Sequence, residues 1–309
     1  MNWSTKVQHY LALRRSFGFE LLSEEGLLES FARLANSRHA EYLDLALTTD
    51  WAKSTKHATR FTWGRRIEVL RGFAKYLCRL DARTFVPPTN MFGPTHRRLV
   101  PHIFTEDEIR LLLEATDRLK PVAGLRGATC QTVFGLLASS GLRISEALNL
   151  TRDTVDLDSG VLDVRDTKFH QRRFVPLHAT VVCHLHAYAH RRDREVSTPR
   201  CDRFFIRQDG RCVSPRNILY AFQSLCAELG WTVRGDHARH RLHDLRHTFI
   251  VRSVLRLYEQ GADVDRGIPI LSTYVGHAKL EDTYWYLTGI PELMLVAAQR
   301  FHTYLEDAI

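Results

Sequence analysis

A run of helix-breaking residues lies about a third of the way along this chain and divides it. Thr84-Phe85-Val86-Pro87-Pro88-Thr89-Asn90 stops helix formation, because proline has no backbone N–H and clashes with the preceding turn. Gly93-Pro94-Thr95-His96-Arg97-Arg98 follows as a polar, basic connector. Helix-patterned segments stand on both sides of this break, so it predicts two domains rather than one continuous core. A length of 309 residues agrees, since single hydrophobic cores stop growing near that size. The boundary is expected within 87–104, with a helical domain over 1–90, a linker over 91–104 and a second domain over 105–309.

The first domain reads as four helical segments. Val7, Tyr10, Leu11, Leu13 and Phe17 recur at helical spacing, as do Leu27, Leu28, Phe31 and Leu34. Tyr42, Leu43, Leu45 and Leu47 make a shorter run, and Ile67, Leu70, Phe73, Ala74 and Leu77 a fourth. Charge is concentrated here. The chain carries a net +8, and 1–100 holds nearly all of the excess. Between 52 and 83, Lys53, Lys56, Arg60, Arg65, Arg66, Arg71, Lys75, Arg79 and Arg83 face only Glu68 and Asp81. Phe61, Trp63, Phe73 and Tyr76 are interleaved with them. Such a segment is either a solvated helix face or a surface for a polyanion, and the imbalance exceeds what solubility requires. Lys53, Lys56, Arg60, Arg65, Arg66 and Arg71 are the candidate DNA contacts.

The second domain opens on Thr105-Glu106-Asp107-Glu108, a capping box at a helix start. A buried helix is expected over about 127–138, a turn at Gly141 and a new helix near Ile144. Val155–Val164 alternates around a turn as a hairpin, and Arg173-Phe174-Val175-Pro176-Leu177 reads as a further strand. The remainder is mostly helical, ending in an apolar helix after Pro291. The fold class is therefore mainly α with a small antiparallel β-sheet in the C-terminal domain. No apolar run approaches the roughly eighteen residues of a membrane span. The start shows no continuous apolar h-region, and the six cysteines form no CxxC pair. A cytoplasmic protein with reduced thiols is the expectation.

Three short motifs carry chemistry. In Gly141-Leu142-Arg143-Ile144-Ser145-Glu146, Arg143 and Glu146 share a helix face three residues apart. They form either a surface ion pair or a phosphate clamp, since a guanidinium binds two phosphate oxygens in one plane and keeps its charge. In His240-Arg241-Leu242-His243-Asp244-Leu245-Arg246-His247, His243 and Arg246 repeat the pattern, with an imidazole able to move a proton. His243 and His247 also have zinc-helix spacing, but no Glu follows the first His and Arg246 would sit beside the cation. His240 and His247 are expected to pack or to support. Finally, His277 and Tyr286 stand nine residues apart, which on one helix would place them on opposite sides. If they share a site the chain breaks between them, with Asp282 or Thr283 capping a fresh helix.

Taken together, Arg143 in GLRISE, His243-x-x-Arg246, Gly276-His277 and Tyr286 resemble the tyrosine recombinase (phage integrase) family. The resemblance covers 105–309 as its catalytic domain and 1–90 as its helical core-binding DNA domain, the two forming a DNA clamp. It adds a hairpin lysine, for which Lys168 in Thr167-Lys168-Phe169-His170-Gln171-Arg172-Arg173 takes the position. Val275 stands where Leu is more usual, and 258–269 lengthens the gap between Arg246 and His277, as in members encoded by mobile elements.

The resemblance implies that Tyr286 attacks a DNA phosphate and becomes joined to the 3′ side, releasing a 5′ hydroxyl. Arg143 and Arg246 would stabilise the phosphorus centre. His243 would act as base or phosphate donor, Lys168 as general acid, and His277 as donor to a non-bridging oxygen. Glu146 would orient its neighbours. No nucleotide cofactor is called for, because the bond energy stays in the phosphotyrosine ester, and no metal, because the two arginines would do electrostatically what metal ions do in many nucleases. The expected partners are duplex DNA with specific sites, further copies of the chain as a tetramer on DNA, and partner recombinases; nucleoid association follows. Integration or excision of a mobile element is the leading role, beside chromosome dimer resolution of the Xer kind. A type IB topoisomerase shares the chemistry, an inactive DNA-binding protein would lack part of the set, and a hydrolase on His240, His243 and His247 would need metal. Tyr284 is the rival nucleophile by proximity.

Overall fold

The computed structural model describes residues 2–55, 59–94, 98–122, 124–165 and 172–307. It divides into two compact units, Met1–Arg98 and Leu99–Ile309. No helix among the described residues is long and apolar enough to cross a membrane.

The first unit consists of α1 (Trp3–Ser16), α2 (Leu22–Ser37), α3 (Leu45–Lys53) and α4 (Arg60–Cys78). Helix starts follow local chemistry. The Asn2 side chain accepts from Ser4 N–H and Thr5 N–H, and Asp44 accepts from Leu47 N–H at 2.7 Å. The Asp44 cap starts the third helix at Leu45, so Tyr42 of the expected run precedes it. Aromatic edges assemble the core: Phe31 meets Trp3 at 5.4 Å, Trp51 at 5.5 Å and Phe73 at 6.3 Å, each near perpendicular.

One expected DNA contact is corrected here. Arg66 is only 8% exposed. Its Nη2 donates to Trp51 O at 2.7 Å and Ser54 Oγ at 3.1 Å, its Nη1 donates to Thr55 Oγ1, and its guanidinium lies 4.2 Å from the Trp51 ring. Both terminal nitrogens are engaged in closing the C-terminal end of α3, because a buried guanidinium must find acceptors inside the fold. Arg71 is half-buried and paired with Glu68 at 3.0 Å. Lys53, Arg60 and Arg65 are exposed, and Lys56 lies outside the described residues.

The second unit comprises α5 (Glu106–Ala115), α6 (Leu125–Ser140), α7 (Ile144–Asn149), β1 (Val155–Asp156), β2 (Val161–Val164), β3 (Arg173–Pro176), α8 (Ala179–Glu195), α9 (Pro215–Glu228), α10 (Leu242–Glu259), α11 (Val264–Val275), α12 (Glu281–Gly289) and α13 (Pro291–Asp307). The strands form one antiparallel sheet in the order β1-β2-β3, with Leu162 opposite Val175 and Asp163 opposite Phe174. The Thr105–Glu108 capping box is present in both directions, at 2.8 and 3.1 Å. Helix α6 is buried around most of its circumference and packs on α5, α8 and α10. Phe104, Phe134 and Phe222 fill the centre.

The expected linker over 91–104 needs correction in its last part. His102 and Phe104 are 0% and 1% exposed, and Arg234 Nη2 donates to Ile103 O at 2.7 Å. Apolar Ile103 and Phe104 belong to the second core, and the two units part at Arg98–Leu99.

Candidate active site

The site grows from a turn. Gly141 ends α6 in the left-handed region at φ 64°, where a Cβ would stand 2.5 Å from the Phe249 ring. That turn delivers Arg143 to the N-cap of α7, so Arg143 and Glu146 are not two residues of one helix face as expected. They are a cap and the third helical residue. Arg143 N–H donates to Glu146 Oε2 at 3.0 Å and Nη1 to Glu146 Oε1 at 2.7 Å. Nη2 donates to Gly276 O at 2.9 Å. The same turn receives the second arginine: Arg246 Nη1 donates to Gly141 O at 2.6 Å.

Arg246 rises from α10 into the interior and is 1% exposed. Its Nη2 has no hydrogen-bond partner among the described residues, a buried donor with capacity to spare, where most buried donors in folded proteins are paired. Burial first, and then the charge of Arg143, lowers its pKa to about 10, so the guanidinium keeps its charge at neutral pH.

Sequence reasoning assigned no role to a third guanidinium. Arg173 on β3 grips Glu146 through both oxygens, at 3.1 and 2.8 Å, and its Nε donates to Tyr274 O at 3.0 Å. A signal for it existed. Strand alternation puts Arg173 on the same face as buried Val175, and an inward arginine requires a carboxylate. Burial alone would raise the Glu146 carboxyl. The Arg173 hydrogen bonds, the Arg143 N–H and the two charges overcome it and hold the group at about 2. Arg173 also fixes Gly276, where a Cβ would lie 2.7 Å from its Nη1.

Gly276, at φ 70°, ends α11 in the left-handed conformation, with His277 N–H returning to Ser272 O at 3.0 Å. The expected chain break between His277 and Tyr286 is thus present. Its cap is not the expected one: Leu280 precedes α12 with no side-chain cap bond. Thr283 is instead fully buried and its Oγ1 meets His277 Nδ1 at 2.7 Å. The His277 ring lies parallel to Tyr286, centroids 6.5 Å apart.

Tyr286 is 3% exposed, whereas Tyr284 is 38% exposed. The Tyr286 hydroxyl lies 2.6 Å from His247 Nδ1. His247 in turn meets His243 edge to face at 4.6 Å. Crowding by protein, then Arg246, Arg241 and Arg143, lowers the basicity of His243, although its ring stands open to solvent that offsets part of this. His240 packs against His102 at 4.5 Å and Phe104 at 5.8 Å. Lys168 lies outside the described residues. Among the described residues no group of three or more His, Cys, Asp or Glu side chains is disposed to hold a metal.

Arg143, Glu146, His243, Arg246, His277 and Tyr286 are therefore joined, with Arg173 and His247, by direct contacts or electrostatic neighbourhood. The arrangement offers two guanidinium groups, imidazoles and a phenol, a set suited to a phosphodiester.

Comparison with known proteins agrees. Residues 102–289 match the model of the phage integrase family. The chain is 36% identical over 305 residues to the putative integrase/recombinase y4rB of Sinorhizobium fredii, covering 97% of each chain. It is 28% identical over 302 residues to the tyrosine recombinase XerC of Leptospira interrogans, covering 97% of this chain and 88% of that one. In fold it resembles the XerH site-specific recombinase bound to palindromic difH substrate, with a TM-score of 0.64, 17% identity, and 90% and 77% of the two chains covered. The chain belongs to the phage integrase family and is a tyrosine-type site-specific DNA recombinase.

Proposed function

We propose that Tyr286 is the nucleophile, that Arg143 and Arg246 hold the scissile phosphate, and that the enzyme integrates or excises a mobile DNA element. The observation that carries the assignment is the Arg246 Nη2 donor, buried without a partner among the described residues in the electrostatic neighbourhood of the Tyr286 phenol. A phosphate oxygen would satisfy it, and two guanidiniums would offset the charge that builds as the phenol attacks. Glu146 and Arg173 hold Arg143 from behind. His243 donates to the phosphate and His277 to a second non-bridging oxygen. Lys168 protonates the leaving 5′ oxygen.

Duplex DNA carrying specific sites is the substrate. Lys53, Arg60 and Arg65 supply exposed cations for its backbone. Two duplexes need four cuts, hence four copies of the chain. Met294, Leu295 and Phe301 on α13 are 47%, 60% and 63% exposed, an apolar surface suited to a neighbouring copy.

The test is covalent capture. The full chain is incubated with a randomised duplex library carrying a 5′-bridging phosphorothiolate, which traps the cut strand. Adducts are isolated and the modified residue is mapped by mass spectrometry. Modification of Tyr286, lost in Tyr286→Phe and kept in Tyr284→Phe, is expected. Adduct on Tyr284, or none from the native chain, would overturn the assignment.

A further inference from the structure

The reaction requires the Tyr286 hydroxyl to lose a proton, and an ordinary phenol near pKa 10 keeps its proton at neutral pH. Hydroxyl and acceptor already face one another. His247 Nδ1 lies 2.6 Å from the Tyr286 oxygen, the two rings 5.6 Å apart. His243 makes its ring contact with His247 rather than with the phenol, edge to face at 4.6 Å. We propose that His247 is the general base for Tyr286: with its own proton on Nε2, it accepts the phenol proton on Nδ1 as the phenol oxygen bonds to phosphorus.

This inference rests on the phosphotyrosine reading and assigns a residue to its first step. The balance is complete. The oxygen–hydrogen bond of Tyr286 breaks and a nitrogen–hydrogen bond forms at Nδ1. The phenol oxygen–phosphorus bond forms while the bond from phosphorus to the 5′ oxygen breaks, and that oxygen takes its proton from the general acid. In resealing, the 5′ hydroxyl gives its proton back to the deprotonated general acid as its oxygen bonds to phosphorus, the bond from phosphorus to the tyrosine oxygen breaks, and Nδ1–H returns its proton to that departing oxygen. His243 is left to donate to the phosphate throughout.

The surroundings suit this role. His243 and Arg246 face His247 from its own helix, Arg241 from the N-cap of that helix, His237 from the segment before it, and Tyr286 from α12. Burial first, and then those basic neighbours, lowers the His247 pKa to about 2. The ring is therefore neutral at every working pH, and Nδ1 stays available as an acceptor. An entering phosphodiester supplies the missing negative charge, offsets the neighbouring cations and raises the basicity of the ring when the proton must move.

The test uses the full chain and a duplex recovered from the capture selection, still carrying the bridging sulfur. A thiolate leaves without a proton, so the rate of adduct formation reports the nucleophile alone. Single-turnover rates are measured from pH 6 to 9. The native chain should be nearly flat. His247→Ala should fall by about a hundred- to ten-thousand-fold at pH 7 and then climb about tenfold per pH unit, as hydroxide replaces the lost base. His247→Asn, close in shape but unable to take a proton, should behave in the same way and guards against a folding defect. His243→Ala should be slower yet flat. A native rate in His247→Asn, or a pH-independent loss in His247→Ala, would overturn the base assignment while leaving the phosphotyrosine reading intact. Adduct at a residue other than Tyr286 would bring down both.

Discussion

Replacing Glu146 by glutamine removes one negative charge from between two guanidinium groups while leaving the side chain nearly the same shape. Glu146 is 2% exposed, with Arg143 Nη1 at 2.7 Å and Arg173 Nη2 at 2.8 Å. Its carboxyl is held at about 2 against an ordinary 4.5. One pKa unit is worth about 1.4 kcal/mol, so the ionised carboxylate contributes about 3 kcal/mol at pH 7. The sign follows from the depressed folded-state value. Stabilisation is complete above pH 4.5 and disappears as pH falls toward 2. Glutamine imitates the protonated acid, so the penalty in Glu146→Gln should shrink from about 3 kcal/mol at pH 7 to about 1 kcal/mol at pH 3. The assay is denaturant unfolding of the full chain and its variant at both pH values, following the transition of the second unit. For a unit of this size, about 3 kcal/mol corresponds to a Tm shift of roughly 6 to 12 °C. A difference below about 0.5 kcal/mol at pH 7, or one that does not change with pH, would refute the buried carboxylate as the joint between the two arginines.

Other outcomes follow from single contacts. Arg65→Ala should weaken duplex binding and reduce the salt slope by about one, read by binding titrations at several salt concentrations. Arg66→Ala should instead destabilise the first unit by about 2 to 4 kcal/mol in denaturant melts, because its acceptors at Trp51 and Ser54 are stranded. Arg246→Lys should slow adduct formation on the captured duplex by about a hundred- to a thousand-fold, since one ammonium cannot hold Gly141 O and a phosphate in one plane. Deleting residues 292–309 should lower multimer formation on DNA, seen by native gel and light scattering, more than binding by a single copy.

The order of the elements was legible in the chain because it depends on local rules, and the residues of the site because their motifs resemble those of a known family. Proline and glycine punctuation marked the boundary region and the Gly141 turn, the capping box marked the start of α5, and alternation marked the three strands. Resemblance of the motifs, in their order and spacing, to those of a known family brought Arg143, His243, Arg246, His277 and Tyr286 forward as one set. Linear sequence could not show what an inward charge would meet. Arg66 reads like its exposed neighbours, yet the α3–α4 packing buries it, and Arg173 reads as a strand residue until Glu146 is brought against it. The partner of the Tyr286 hydroxyl was equally hidden: His247 and Tyr286 are 39 residues apart. Local propensity acts over a turn or two of chain, whereas pairing a buried charge or a phenolic proton depends on which distant atoms the packed core brings within three ångströms, and only the tertiary structure decides that.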